Sequence, residues 1–277
     1  MNKDILGQDV VAKIKNELKT KDYGELKPKL AVLRVGSRSS DLAYEASLKR
    51  IFNPLNINVE VTALPKEINQ ADFDQAFNKI NQDSTNSGIL LLSPIPQHLN
   101  LKHAMETIDP KKDVDCFGSE NTLRIYVDQE KGFLPCTAEA VLKILSYQNV
   151  DLRGKDVVIV GFGFVIGRPL SLLLVEAGCT VTVCHVDTVD LAEKCRRAEI
   201  IVSATGVPHL IKQDFISNDT IVVDVGINVG VDGEIYGDVD YDDVYKKVKS
   251  ITPVPGGVGT VTTYVLAEHV VNSFEGR

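Results

Sequence analysis

The stretch VVIVGFGFVIGRP, residues 157–169, decides how the rest of the chain is read. Four apolar residues of strand length stop at Gly161, and further glycines follow at 163 and 167, just before the helical pattern IGRPLSLLLVEAG. A strand that breaks at a glycine and restarts as a helix is the layout of a dinucleotide-binding turn. Gly161 would permit the tight turn, Gly163 would let a pyrophosphate approach the backbone, and Gly167 would allow close packing of a helix whose N-terminus faces the phosphates. Three glycines alone fit a tight turn that binds nothing equally well, and the spacing is one residue longer than the standard fingerprint. The next strand pattern ends at Cys184-His185, not at the acidic residue that holds the ribose 2′-hydroxyl of NAD, although Asp187 follows two positions later. NAD and NADP therefore both stay open.

Working outward, strand-length apolar runs alternate with helical periods along the whole chain. The first half carries LAVLRV (30–35), INVEVTAL (57–64) and GILLLSPI (88–95), with helical stretches near 40–53 and 70–82. The second carries DVVIVG (156–161), TVTVCH (180–185), EIIVSA (199–204) and TIVVDVGI (220–227), with helical stretches after Gly167 and over 190–198. Such alternation predicts an α/β fold of two lobes with parallel sheets, the second lobe Rossmann-type. CTAEAVLKILSYQ (136–148) reads as a helix capped by Thr137 and passing between the lobes. Residues 261–274 read as a final helix packing back on the first lobe.

Composition narrows the functional classes. A chain of 277 residues with 44% hydrophobic content suffices for one large or two ordinary cores. It lacks the roughly 20-residue apolar run of a membrane helix, and its opening MNKDILGQDVVAKIKNELK is a charged amphipathic segment rather than a signal peptide. Five cysteines without C-x-x-C spacing argue against a disulfide framework and a zinc site, and suit a reducing cytoplasm. A net charge of −8 without a basic cluster argues against nucleic-acid binding. No metal is expected.

A second glycine-rich run, ITPVPGGVGTVT (251–262), makes a stiff loop with exposed backbone, suited to lying against a flat ligand or serving as an ordinary turn. Together with VVDVGIN (222–228), KDVD (112–115), PCT (135–137), GILLLSPIP (88–96) and the glycine turn, it resembles the methylenetetrahydrofolate dehydrogenase/cyclohydrolase family from end to end. The resemblance implies oxidation of 5,10-methylenetetrahydrofolate to the methenyl form with NAD or NADP, then hydrolysis to 10-formyltetrahydrofolate. It implies a folate-binding catalytic domain over 1–137 plus 262–277 and a Rossmann-type domain over 138–261, with the folate site in the cleft between them, in a cytoplasmic homodimer. The substrate positions it implies are Tyr44, Leu48, Leu92, Asp115, Pro255, Gly256, Gly257 and Val258, with Tyr44 and Asp115 catalytic. The cofactor positions are Gly161, Phe162, Gly163, Gly167, Arg168, His185 and Ile227.

The departures concern the second reaction. Counting without gaps from Val35-Gly36, the lysine that the family uses for cyclohydrolase chemistry falls on Leu48, and its glutamine partner falls on Leu92. Lys49 is next in line, but on a helix it points about 100° away. His98 and His103 lie near the GILLLSPIP loop without the setting of a general base. Cys116 stands in place of a glycine, Ala138 in place of a proline, and Thr260-Val261 in place of Pro-Met. The polar cofactor turn of the family is here Gly161-Phe162-Gly163, and Val186-Asp187 follow the histidine where NADP-dependent members carry Ser or Arg. The expected activity is thus a dehydrogenase with weak or absent cyclohydrolase activity. A fully bifunctional enzyme and a catalytically impaired ligand-binding relative are the alternatives.

Overall fold

The apolar runs of the first half form three parallel strands, β1 (Lys29–Val35), β2 (Asn58–Leu64) and β3 (Gly88–Leu91), in the order β2-β1-β3. The computed structural model describes residues 3–127, 132–230 and 233–276, so Met1 and Asn2, which open the expected amphipathic segment, lie outside the described residues. β1 is central and almost wholly buried because both of its edges are paired and both of its faces covered. Helices Ser39–Phe52 and Gln70–Gln82 follow β1 and β2, and Phe73, Phe77 and Ile80 of the second pack on Ala31, Leu33 and Val35. Asn69 caps that helix by accepting the Asp72 N–H at 3.0 Å.

The second half forms a parallel sheet from β4 (Asp156–Val160), β5 (Thr180–Cys184), β6 (Ile200–Ser203), β7 (Ile221–Asp224) and, beyond the hairpin β8 (Asn228–Val229) with β9 (Ile235–Tyr236), β10 (Ser250–Ile251). The order is β10-β7-β6-β4-β5. After β5 the chain returns across β4 to lay down β6, so the strand order reverses between β4 and β6. In open α/β sheets that reversal opens a crevice at the carboxyl ends of the strands, where ligands bind. The fold is therefore two α/β units with parallel sheets, the second Rossmann-type.

By its contacts the chain divides into Lys13–Cys136 with Thr263–Arg277, and the chain up to Ala12 with Thr137–Thr262. By these contacts residues 3–12 group with the unit that holds β10. The Ile5 N–H donates to the Ile251 carbonyl at 2.8 Å, and Asp4 bridges to Ile251. The helix expected to be capped by Thr137 runs Cys136–Tyr147, so Thr137 lies inside it. The last helix, Val258–Phe274, begins earlier than its apolar period suggests. All five cysteines are buried and none forms a disulfide. Among the described residues no helix is long and apolar enough to cross a membrane, and no His/Cys/Asp/Glu group could hold a metal ion.

Candidate active site

Tyr44 and Leu48 lie one turn apart on helix Ser39–Phe52, and the two side chains have different environments. Leu48 is fully buried, and Leu92, just beyond β3, is nearly so. Burial pushes the Tyr44 hydroxyl far above its ordinary pKa, and the nearby charges of Asp115 and Cys136 add to the rise. The structure thus brings Tyr44 and Asp115 within electrostatic reach of one another.

Asp115 sits in a loop held by Asp113, whose contribution is not apparent from the sequence. Asp113 is wholly buried and accepts the Phe117 N–H at 2.7 Å, the Gly118 N–H at 2.9 Å and the Asn121 amide at 3.0 Å. Burial nevertheless pushes its carboxyl up to about 6. One oxygen of Asp115 accepts the Cys136 N–H at 3.1 Å. Burial raises the Asp115 pKa as well, opposed by Cys136 and by His269. His269 is buried, with Nδ1 2.8 Å from the Val114 carbonyl and 3.6 Å from Cys136 Sγ. Cys136 was visible as part of PCT. His269 carried no signal, because a lone histidine in an apolar helix has no pattern around it. Cys116 takes a left-handed φ of 54°, which accounts for the glycine expected at its position.

Lys49 is half-exposed and pairs with Glu45 at 2.7 Å, while the other oxygen of Glu45 meets Arg34 Nε at 3.2 Å. His98 Nε2 lies 2.9 Å from the Ile68 carbonyl, and His103 Nε2 lies 3.0 Å from Asn78 Oδ1, so both are engaged in local structure. Pro255, Gly256, Gly257 and Val258 belong to the other unit. Pro255 and Gly256 are exposed, Gly257 and Val258 are buried, and the Gly256 carbonyl accepts the Gly7 N–H at 2.8 Å.

The glycine turn follows β4 at the reversal of strand order. Gly161 has φ +120°, and a Cβ there would lie 2.2 Å from the Ala204 carbonyl oxygen. A Cβ on Gly167 would lie 2.0 Å from the Gly161 carbonyl oxygen, so the helix starts hard against the turn. Gly163, by contrast, faces open space with nothing within 4 Å. The turn therefore has a rigid base and a free outer face, which fits a dinucleotide whose phosphates approach backbone N–H groups. The Arg168 guanidinium stacks over the Phe162 ring at 5.0 Å. Ile227 is exposed, and at the end of β5 the highly exposed Asp187 carboxylate lies 3.6 Å from His185 Nδ1.

Comparison with known proteins agrees with this layout. Residues 5–115 match the family described as tetrahydrofolate dehydrogenase/cyclohydrolase, catalytic domain, and residues 135–277 match its NAD(P)-binding domain. A bifunctional protein FolD of Clostridium botulinum is 42% identical over 280 residues, covering 99% of each chain. The crystal structure of the bifunctional FolD of Campylobacter jejuni superposes with a TM-score of 0.95 at 39% identity over the full length of both chains. That of the Trypanosoma brucei enzyme, solved with NADP and an inhibitor, gives 0.93 at 30% identity, covering 99% of this chain and 98% of that one. With both parts of the chain matched and relatives aligned from end to end, this protein is an enzyme that belongs to the tetrahydrofolate dehydrogenase/cyclohydrolase family and uses NAD or NADP.

Proposed function

We propose that this enzyme oxidises 5,10-methylenetetrahydrofolate to 5,10-methenyltetrahydrofolate, and that its methenyl hydrolysis is weak or absent. The reading rests on one contrast: Tyr44 and Asp115, two groups able to hydrogen-bond a substrate, lie within electrostatic reach of one another, whereas positions 48 and 92 are filled by buried leucines. Hydride transfer depends on geometry more than on an acid or base. When bound, the nicotinamide supplies the hydride acceptor, so the methylene carbon loses a C–H bond and becomes the methenyl cation. Gly161, Phe162, Gly163, Gly167, Arg168, His185 and Ile227 would hold the cofactor, and Asp115 with Tyr44 would orient the pterin. Pro255, Gly256, Gly257 and Val258, the other substrate positions that the resemblance implies, lie in the unit centred on β4.

Water attack on the methenyl carbon differs, since it needs a group to accept or steer a proton. Leu48 and Leu92 can do neither, and Lys49 is tied to Glu45. The second reading is full bifunctionality, favoured by the naming of relatives at 42% identity as bifunctional proteins. Folate binding is assigned to the unit centred on β1 and dinucleotide binding to the unit centred on β4. Homodimer formation and a cytoplasmic location belong to the same proposal. A spectrophotometric assay with methylenetetrahydrofolate and each nicotinamide cofactor, followed by methenyl decay with enzyme against buffer, separates the readings. Cofactor reduction with methenyl decay at the buffer rate is the expected result. Enzymatic methenyl decay overturns the proposal in favour of bifunctionality.

A further inference from the structure

Behind the glycine turn two aspartates are buried side by side, Asp224 at the end of β7 and Asp238 just after β9. Asp224 Oδ1 accepts the Gly226 N–H at 2.9 Å and the Asp238 N–H at 3.1 Å, and Oδ2 accepts the Val239 N–H at 2.9 Å. Its own N–H donates to Thr252 Oγ1 at 2.8 Å. Asp224 thus fixes the backbone on either side of Asp238 and so fixes where the Asp238 side chain points.

The Asp238 carboxylate spans two loops. Oδ2 accepts the Thr205 N–H at 2.5 Å, the Gly206 N–H at 3.3 Å and the Ser203 hydroxyl at 3.2 Å, all at the end of β6. Oδ1 accepts the Asn228 amide at 3.0 Å, next to Ile227. All four donors are uncharged, and the side chain is wholly buried. The loop it grips bears on the cofactor turn, because the Ala204 carbonyl is the atom that leaves Gly161 no room for a Cβ. Ala204 is in turn tied to β4 by its N–H, 2.8 Å from the Val160 carbonyl.

From this geometry we infer that Asp238 is a positioning residue for the dinucleotide, holding the 203–206 loop against the glycine turn and Asn228 beside it. The inference rests on the glycine turn being the cofactor seat. A buried carboxylate suits this task because it accepts several N–H groups at once and offers no donor that would repel them. The chemistry needs nothing from it directly. Its removal should therefore weaken cofactor binding more than it slows hydride transfer.

Asp238→Asn keeps the shape and the acceptor facing Asn228, but turns an NH₂ group toward the Thr205 and Gly206 donors. The expected result, by calorimetry on the cofactor-free protein, is a cofactor Kd raised by about tenfold or more. The KM for methylenetetrahydrofolate should stay within about twofold of the unmodified enzyme. Hydrogen exchange read on the unmodified protein is the companion measurement, and it stands if the variant does not fold. The Thr205 and Gly206 amides should be among the protected amides without cofactor present. A folded Asp238→Asn variant with unchanged cofactor Kd overturns the inference, as do rapidly exchanging Thr205 and Gly206 amides. Gly163→Val keeps the two ideas apart: unchanged affinity in that variant refutes the cofactor seat itself, while loss there with an unaffected Asp238→Asn refutes only the positioning role.

Discussion

Lys49 Nζ lies 2.7 Å from Glu45 Oε1, one turn back on the same helix, while the side chain of Leu48 between them is fully buried. Glu45 also holds Arg34, so the ammonium next to the expected catalytic position already has a partner. Lys49→Ala should therefore leave methylene oxidation within about threefold of the unmodified enzyme, and a loss of a hundredfold or more would show that Lys49 serves the chemistry.

On the proposed reading, restoring hydrolysis should need both leucines changed. Leu48→Lys alone places an ammonium among apolar walls, where it sheds its proton or turns to solvent. Leu48→Lys with Leu92→Gln supplies the partner as well. We expect methenyl decay above the buffer rate for the double variant, by a factor approaching 10²–10⁴ when the geometry is reproduced, and little gain for the single one. Equal rates for the two variants would disprove the pairing.

Gly161 and Gly163 should respond oppositely to substitution. Gly161→Ala meets both a φ of +120° and the Ala204 carbonyl, and should lower stability by roughly 2–4 kcal/mol. Gly163→Val fills open space, so the melting temperature should hold while cofactor affinity falls by about tenfold or more. Thermal melts and calorimetry on the two variants check both halves.

The exposed Asp187 carboxylate follows β5 at the position where the family resemblance implies a residue facing the 2′-phosphate of NADP, and like charges there would repel. The preference for NADP expected in much of the family should shrink or reverse. Asp187→Ser should raise NADP affinity by about three- to tenfold with little change for NAD. A strong NADP preference in the unmodified enzyme would show that Asp187 does not face the phosphate.

Burial pushes the Asp113 carboxyl up to about 6 and that of Asp224 up to about 7. An unfolded aspartate titrates near about 3.9, so between these values the native state holds protons that the unfolded state has released. The associated stability is complete below about pH 4 and is lost as pH rises through about 6 for Asp113 and about 7 for Asp224. Asp224→Asn, which cannot ionise, should flatten this fall in the urea midpoint between about pH 5 and 8. Parallel curves for the variant and the unmodified protein would refute the assignment.

The central strands β1 and β4 were legible because they are buried on both faces and read as apolar runs, as in LAVL (30–33) and VVIV (157–160). The glycine turn was legible because Gly161 and Gly167 sit where another side chain cannot fit. Long-range polar packing left no such mark. Asp238 lies 33 residues from Thr205 and has no periodic neighbour to announce it. The contact of the N-terminal segment with β10 left no mark either, because β10 has only two residues and falls below any pattern. Thr137 looked like a helix cap because residue type alone does not say where the first turn closes.

The interleaving of the two units governs the order in which they can form during synthesis. Lys3 to Ala12 leave the ribosome long before β10, whose edge their backbone joins, so the segment has no resting place until Ile251 has emerged. The unit centred on β1 lays down its strands first yet finishes last, because Val265, His269 and Val270, all buried, lie on the final helix. A nascent chain halted near Thr262 would carry every strand of the β4-centred sheet. Its β1-centred sheet would still lack Val270, which with Val114 covers Gly88 in the finished protein.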